Sequence, residues 1–250
     1  MPGLDRDAVE LRAVAPLIVA ETRALLGPAL LVSNGTETIA ITSAELVRSW
    51  DTAQLAIALA LDGATSVPVA AGSLGHRAGI ALLELAGPVV AGPDVAPLDI
   101  GSVCATVDTR GAPAALVTIG PGEGARFARA VAPVDVDHVD GDGIYDQVMW
   151  LASPREPADG DASVEGATLF AWFPPDPVLG RPRELLALAI AYPYRQRIFQ
   201  PRAAPVIAEL VGLDDLGRAL ITAAPVPERP ELHDVTGEVE TRAEHEEPPP

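Results

Sequence analysis

Few side chains that carry enzymatic chemistry occur in this sequence at a spacing that enzymes use. Cys104 is the single cysteine, which excludes an internal disulfide framework and a zinc site built from several thiolates. The four histidines are scattered and form no H-E-x-x-H or H-x-H pair; they are His76, His138, His233 and His245. We therefore expect neither a metal nor a cofactor.

The basic residues exclude further classes of chemistry. All 17 of them are arginine, and the sequence has no lysine. A P-loop, a Schiff-base or pyridoxal enzyme and a kinase-type phosphate site each need a lysine. These three classes are therefore excluded.

The charge of the chain argues against polyanionic partners. Its 35 acidic residues outnumber the basic ones and give a formal net charge of −18. Phosphate backbones and anionic lipid surfaces repel such a chain, so we expect no nucleic-acid binding and no membrane insertion. The first residues lack a positively charged leader, and no uncharged apolar run reaches the roughly 18 residues of a membrane helix. We therefore expect a soluble, cytoplasmic protein.

An acidic run at residues 135–146 invites comparison with a calcium-binding EF-hand loop. That loop needs acids at positions 1, 3 and 5, glycine at 6 and glutamate at 12. Counted from Asp135, position 5 is Val139; counted from Asp140, it is Ile144. The pattern fails in both frames, and the run instead predicts an acidic hairpin loop that alternates with Val134, Val136 and Val139 as strand residues.

Short apolar runs separated by Gly, Pro, Asn and Asp dominate the chain. They lie at residues 29–33, 38–42, 55–61, 67–71, 80–85, 114–119, 148–152, 167–173 and 185–192. Many short strands with such turn signals are typical of an all-β sandwich or barrel. Asn34-Gly35 and Asp62-Gly63 favour hairpin turns, because both central residues of a type I′ turn need positive φ.

Three segments predict helices. They are residues 6–12, a turn or two at 43–49 with Ser43 as the N-cap, and residues 203–220, where leucines recur at helical spacing.

A proline-rich segment at residues 87–97 divides the predicted strands into two groups. We predict an all-β fold of two six-stranded antiparallel β-barrels, with a C-terminal helix; a one-sheet sandwich is the alternative. The expected domains are residues 1–97 and 98–222. The segment 223–250 is Pro-rich and strongly acidic with few large apolar side chains, so we expect a disordered acidic tail.

In order, these pieces resemble a trypsin-like serine protease of the bacterial high-temperature-requirement type. Residues 41–47, Ile-Thr-Ser-Ala-Glu-Leu-Val, resemble the Leu-Thr-x-Ala-His-Val-Val segment that carries the catalytic histidine. Residues 79–85, Gly-Ile-Ala-Leu-Leu-Glu-Leu, resemble Asp-Leu-Ala-Leu-Leu-x-Val, which begins with the catalytic aspartate. Residues 163–170, Ser-Val-Glu-Gly-Ala-Thr-Leu-Phe, lie where the family has Gly-Asn/Asp-Ser-Gly-Gly/Ala-Pro-Leu-Val. The resemblance spans about residues 12 to 205.

The resemblance implies that the three catalytic positions are occupied by Glu45, Gly79 and Glu165. Nucleophilic catalysis of this type needs a hydroxyl, an imidazole and an orienting carboxylate. We therefore expect no catalytic residue and no enzyme activity: a pseudoprotease that acts as a protein-binding, scaffolding or regulatory module.

Two alternatives stay open. Glu45 and Glu165 would face each other across the cleft if the fold is trypsin-like, and a carboxylate pair shares a proton, binds a cation or hydrolyses glycosides. A structural subunit of a larger assembly is the third hypothesis. The oligomeric state stays open.

We expect a protein or peptide partner both for a pseudoprotease module and for a structural subunit. Trp172 and Phe173 form an aromatic pair that could serve as an interface hot spot. Arg181 and Arg183 open the one basic concentration in the chain. We predict these four residues as the partner surface.

Overall fold

A computed structural model describes residues 9–34, 36–77, 80–99, 113–139, 149–154, 165–173, 178, 184–193 and 206–210. In these ranges the chain is almost entirely β, which confirms the predicted all-β class. The helices are short: α1 is Val9–Arg12, α2 is Ala44–Val47, and a 3-10 turn spans Thr52–Gln54. None of the described helices has the length and apolar character to cross a membrane.

The first group of strands ends near the predicted linker. It comprises β1 (Val14–Val19), β2 (Leu25–Ser33), β3 (Thr38–Ser43), β4 (Leu55–Ala58), β5 (Ser66–Arg77), β6 (Ile80–Leu85) and β7 (Leu98–Asp99). Their order in the sheet is β1-β4-β5-β6-β3-β2-β7, and β1 also pairs with β2. That extra pairing closes β1 to β6 into a ring of six strands. Strand β7 pairs in parallel with β2 at the edge of this ring.

The second group forms a closed barrel. Its strands are β8 (Ala114–Pro121), β9 (Phe127–Val139), β10 (Met149–Pro154), β11 (Thr168–Phe173), β12 (Glu184–Pro193) and β13 (Val206–Leu210). The order around the barrel is β10-β13-β12-β11-β8-β9. The described pairings within it are antiparallel, so the predicted two-barrel architecture is confirmed. The domain limits at 97 and 98 stay a prediction, and residues 223–250 lie outside the described part.

Each of the apolar runs predicted as strands contains a strand, and β6 has the predicted bounds. The predicted hairpins at residues 34–35 and 62–63 also join paired strands, but through longer connections than a two-residue turn. Asn34 Oδ1 accepts hydrogen bonds from the backbone N–H groups of Thr36 and Glu37, and Gly63 has the positive φ expected of it. Gly35 lies outside the described residues.

The predicted helix at residues 203–220 is wrong where the structure describes it. Val206–Leu210 is strand β13, which pairs with β10 on one side and β12 on the other. Val206 and Ile207 are β-branched, and hydrogen bonds to two neighbouring strands outweigh the helical spacing of the leucines that follow. Residues 211–220 lie outside the described part.

Two buried clusters use opposite faces of the same strands. Leu17 of β1 and Leu31 of β2 belong to one cluster, which also contains Val47 of α2 and Val95 but no residue of the second barrel. Their chain neighbours Ile18 and Leu30 belong to the other, which also contains Phe170 of the second barrel. Because side chains alternate along a strand, β1 and β2 are buried on both faces. The two barrels therefore share one continuous apolar core.

Arginine side chains of the second barrel bind backbone carbonyl groups of the first. Arg126 Nη2 donates to the carbonyl oxygen of Arg23 at 2.7 Å, and Arg129 Nε donates to that of Val14 at 2.8 Å. Between these two arginines, the backbone N–H of Phe127 donates to the carbonyl of Leu61 at 2.8 Å. The first residues of β9 are thus bonded to the first ring by main-chain and side-chain donors together.

Gly166 lies where the two barrels approach most tightly. Its φ is +74°, and a Cβ built on it would lie 2.7 Å from Leu46 Cδ1, 2.9 Å from Thr42 Oγ1 and 3.3 Å from the carbonyl oxygen of Pro28. Thr42 is itself fixed, since its hydroxyl donates to that Pro28 carbonyl at 2.7 Å. Glycine alone satisfies both the backbone conformation and the space.

We expect Gly166→Ala to lower the free energy of unfolding by about 2–5 kcal/mol, from left-handed backbone strain plus overpacking. Urea denaturation followed by far-UV circular dichroism measures the loss. Gly124→Ala is the control, because a Cβ there meets no atom within 4 Å. It should change stability by less than about 1 kcal/mol. Equal effects of the two substitutions would contradict the close approach at Gly166.

Candidate functional site

Helix α2 places Glu45 at the start of its first turn. The helix follows β3 directly, and Ser43 is its N-cap, as predicted: the Ser43 hydroxyl accepts a hydrogen bond from the backbone N–H of Glu45 at 3.2 Å. Serine at this position satisfies one of the N–H groups that a helix start leaves without an internal partner. The orientation of Glu45 is therefore determined by the end of β3.

The Ser43 hydroxyl also joins the two barrels. It donates a hydrogen bond to Glu165 Oε1, which belongs to the segment that leads into β11 of the second barrel. Ser43 is 2% exposed, and Glu165 is half-buried. One hydroxyl thus bonds the Glu165 carboxylate and the backbone of Glu45. The histidine and nucleophile positions implied by the resemblance are therefore neighbours in space.

The Glu45 carboxylate has a different partner. Its Oε2 lies 3.4 Å from Nη1 of Arg48, one turn further along α2, and the two side chains are 48% and 76% exposed. Such a surface pair contributes little to stability. Glu45 and Glu165 therefore lie near each other, but their carboxylates are bound to different groups. Gly79, the third position, lies outside the described residues.

The described residues do not form a metal site. No group of three or more His, Cys, Asp or Glu side chains is close enough there to hold an ion. Of the acidic run considered for calcium, residues 135–139 belong to strand β9 and pair with β10, in agreement with Val136 and Val139 as predicted strand residues. Residues 140–146 lie outside the described part.

The predicted partner surface is wrong for Trp172. This residue is 2% exposed, stacks on Phe170 with ring centroids 5.8 Å apart, and donates from Nε1 to Glu10 Oε1 at 3.2 Å. Strand β11 is buried on both faces, since Leu169 and Ala171 are as fully buried as Phe170. The side chain of Phe173, and both Arg181 and Arg183, lie outside the described residues.

A cavity of about 270 Å³ opens beside the β2–β3 connection and the end of β6. Its lining residues are Thr36, Glu37, Thr38, Ile39, Glu84, Leu85, Gly87 and Pro88. The wall therefore combines two carboxylates with apolar surface. This cavity was not predictable from the sequence, because its two sides come from strands that are paired but far apart in the chain.

The hydrogen bond between Ser43 and Glu165 was not predictable from local sequence either. These residues are 122 positions apart. The role of Ser43 as a helix cap already explains why a serine occurs at this position. The one available signal was the resemblance, which places the two segments on opposite sides of a single cleft.

A scan against protein-family models gives no match, and a search of curated proteins gives none either. Solved structures do match. A double mutant of human heparin binding protein is 15% identical, with a TM-score of 0.57 over 86% of this chain and 94% of that one. Kallikrein-related peptidase 10 is 16% identical, with a TM-score of 0.53 over 88% of this chain and 98% of that one. The chain thus has the two-barrel fold of the trypsin-like serine proteases.

Proposed function

We propose that this chain is a catalytically inactive trypsin-like module that binds a protein or peptide partner instead of cleaving it. The order of its sequence motifs supports a place near the bacterial high-temperature-requirement type, and a cytoplasmic location is part of the proposal. The observation that supports it is the hydrogen bond that the Glu165 carboxylate accepts from Ser43, since the resemblance assigns Glu165 to the nucleophile position.

The chemistry of the three positions supports this proposal. Acyl transfer by this fold needs a hydroxyl nucleophile, an imidazole that takes its proton and a carboxylate that orients the imidazole. Glu45, Gly79 and Glu165 supply neither a hydroxyl nor an imidazole. The resemblance places all three, and the proximity of Glu165 to the start of α2 agrees with that placement.

The nearest hydroxyl is a poor replacement for the lost nucleophile. Ser43 is 2% exposed, donates to Glu165 and accepts from the backbone N–H of Glu45. A nucleophile must reach the substrate carbonyl carbon, from which so deeply buried a hydroxyl is shielded. Its contacts are those of a structural connection between the barrels.

The partner's contacting segment is expected to be basic and partly apolar. The cavity presents the carboxylates of Glu37 and Glu84 beside Ile39 and Leu85, and nearby Val90 is 76% exposed. The net charge of −18 steers cationic partners toward the chain. The same charge opposes a polyanion such as the heparin named for one structural neighbour.

A fluorophosphonate probe tests the proposed loss of catalysis. This probe forms a covalent adduct with an activated serine, so the purified chain should stay unlabelled under conditions that label active trypsin completely. Intact-mass spectrometry detects the adduct. An adduct at Ser163, or at any other serine, would contradict the proposal.

A double-mutant cycle tests the structural role of Glu165. Ser43→Ala, Glu165→Ala and the double variant should give a coupling energy of about 1–2 kcal/mol, because the hydrogen bond has a charged acceptor and a buried donor. Urea denaturation of the four proteins measures it. The control cycle, Glu45→Ala with Arg48→Ala, should give about 0–0.5 kcal/mol. If the first coupling is no larger than the second, the bond is not formed in solution.

A further inference from the structure

The cavity beside the β2–β3 connection lies at the ends of β3 and β6 that are away from Ser43. Strand β3 begins at Thr38, which lines the cavity, and ends at Ser43. The residue steps between them, at about 3.3 Å each, place these two ends about 16 Å apart. Strand β6 runs the other way, because Glu84 pairs with Ile39 and Ile80 pairs with Ser43. The cavity is therefore separate from the junction of the two barrels.

The cavity is small and can be entered from solvent. Its volume of about 270 Å³ is just below the roughly 300–1,000 Å³ of pockets that enclose a drug-sized ligand. Three of its lining residues, Thr36, Glu37 and Pro88, are exposed. Val90, two residues beyond Pro88, is 76% exposed and offers further apolar surface. These dimensions suit one side chain that projects from the surface of another protein.

Glu84 lies where the apolar core ends. It pairs directly with Ile39 on the neighbouring antiparallel strand, so the two side chains share a face of the sheet. Ile39 is 3% exposed and belongs to the cluster that spans both barrels, whereas Glu84 is half-buried. A carboxylate beside apolar surface attracts a cation more strongly than one surrounded by water. A carboxylate also has about four lone-pair sites, so Glu84 can accept bonds from a ligand besides the interaction it has within the chain.

Glu37 adds a second carboxylate at the exposed side of the cavity. Its backbone is held in place: the N–H donates to Asn34 Oδ1 at 2.8 Å, and the carbonyl oxygen accepts from the Ser33 hydroxyl at 2.8 Å. Among the residues that the structure describes, the ion pair within 4.0 Å is Arg48–Glu45, and no arginine pairs with Glu37. The charge of Glu37 is therefore available to a cation from outside.

We propose that this cavity binds one arginine side chain of a partner protein, an inference that rests on the proposed partner-binding function. A guanidinium is planar and weakly hydrated, so its edge can bond to carboxylates while its faces lie against apolar surface. The lining supplies both, in Glu37 and Glu84 and in Leu85 and Pro88. The ammonium group of lysine is compact and strongly hydrated, which suits a partly apolar wall less well. Arginine is also enriched among the residues that anchor protein interfaces.

The test uses the full chain and the capped peptide acetyl-Ala-Arg-Ala-amide as the probe. It is compared with a peptide that carries citrulline, the uncharged isostere of arginine, and with one that carries lysine. Nuclear magnetic resonance at neutral pH and about 0.15 M salt follows the backbone amide signals of Glu84 and Gly87. These signals should move along a saturable curve with the arginine peptide and stay in place with the citrulline peptide. The lysine peptide should bind at least roughly threefold more weakly.

Matched variants locate the site. Glu84→Gln should weaken binding of the arginine peptide roughly three- to tenfold, and Glu37→Gln roughly two- to fivefold because that carboxylate is exposed. Glu123→Gln is the control: it removes an exposed acid from the β8–β9 connection and changes the net charge equally. It should leave the affinity within about twofold, since salt screens distant charges. The citrulline comparison needs no variant and decides the question even if Glu84→Gln does not fold.

Four results would overturn the arginine site. Citrulline or lysine peptide that binds as tightly as the arginine peptide would exclude recognition of a guanidinium. An equal loss of affinity in all three variants would show general attraction to an acidic chain. Amide signals that move at Ser43 and Glu45 in place of Glu84 and Gly87 would put the peptide at the junction. Signals that stay in place everywhere would exclude binding altogether.

The same samples distinguish a failure of this site from a failure of the proposed function. Mass spectrometry of the arginine peptide after the titration shows whether its arginine–alanine bond has been cleaved. An intact peptide together with the expected signal changes supports both proposals. Cleavage together with those changes would contradict the proposed loss of catalysis and leave the arginine site standing. An intact peptide without signal changes would overturn the arginine site and leave the loss of catalysis standing.

Discussion

The close approach of the two barrels at Gly166 is the constraint on which the candidate site depends. A Cβ on Gly166 would collide with the side chains of Thr42 and Leu46. The carboxylate of the preceding residue, Glu165, accepts a hydrogen bond from Ser43. Ser43 in turn caps α2, so the second barrel, the end of β3 and the first helical turn are held together by neighbouring contacts. In a trypsin-like fold this junction is where catalysis takes place. Here its polar groups hydrogen-bond to each other.

The rest of the junction is made by arginines that bind carbonyl oxygens. Arg126, just before β9, donates to the carbonyl oxygen of Arg23 in the β1–β2 connection, and Arg129 of β9 donates to that of Val14 in β1. A guanidinium can make several such bonds in fixed directions, which the compact ammonium group of lysine cannot do as well. The arginine-only composition therefore has a structural use at the junction. It also concentrates positive charge between the barrels of an otherwise acidic chain.

The sequence predicted the strands better than the contacts between them. Strands such as β6 were predictable because apolar runs of strand length end at glycine and proline. Strand β13 was not, because the leucines that follow it have helical spacing and its hydrogen-bonding partners lie more than ten positions away. The burial of Trp172 was missed for a similar reason, since both faces of β11 are covered by residues that are far away in the chain. The bond between Ser43 and Glu165 needed the fold before it could be seen.

Turnover is the most direct test of the proposed absence of catalysis. The purified chain is incubated with a mixed peptide library covering all residue pairs, and cleavage products are quantified by mass spectrometry over a day at neutral pH. We expect no cleavage above a sample without protein, because the positions that the resemblance implies as catalytic hold neither a hydroxyl nor an imidazole. Cleavage that follows the protein through purification and disappears in Glu165→Gln would contradict the account, since it would make the carboxylate at the nucleophile position a working catalytic group.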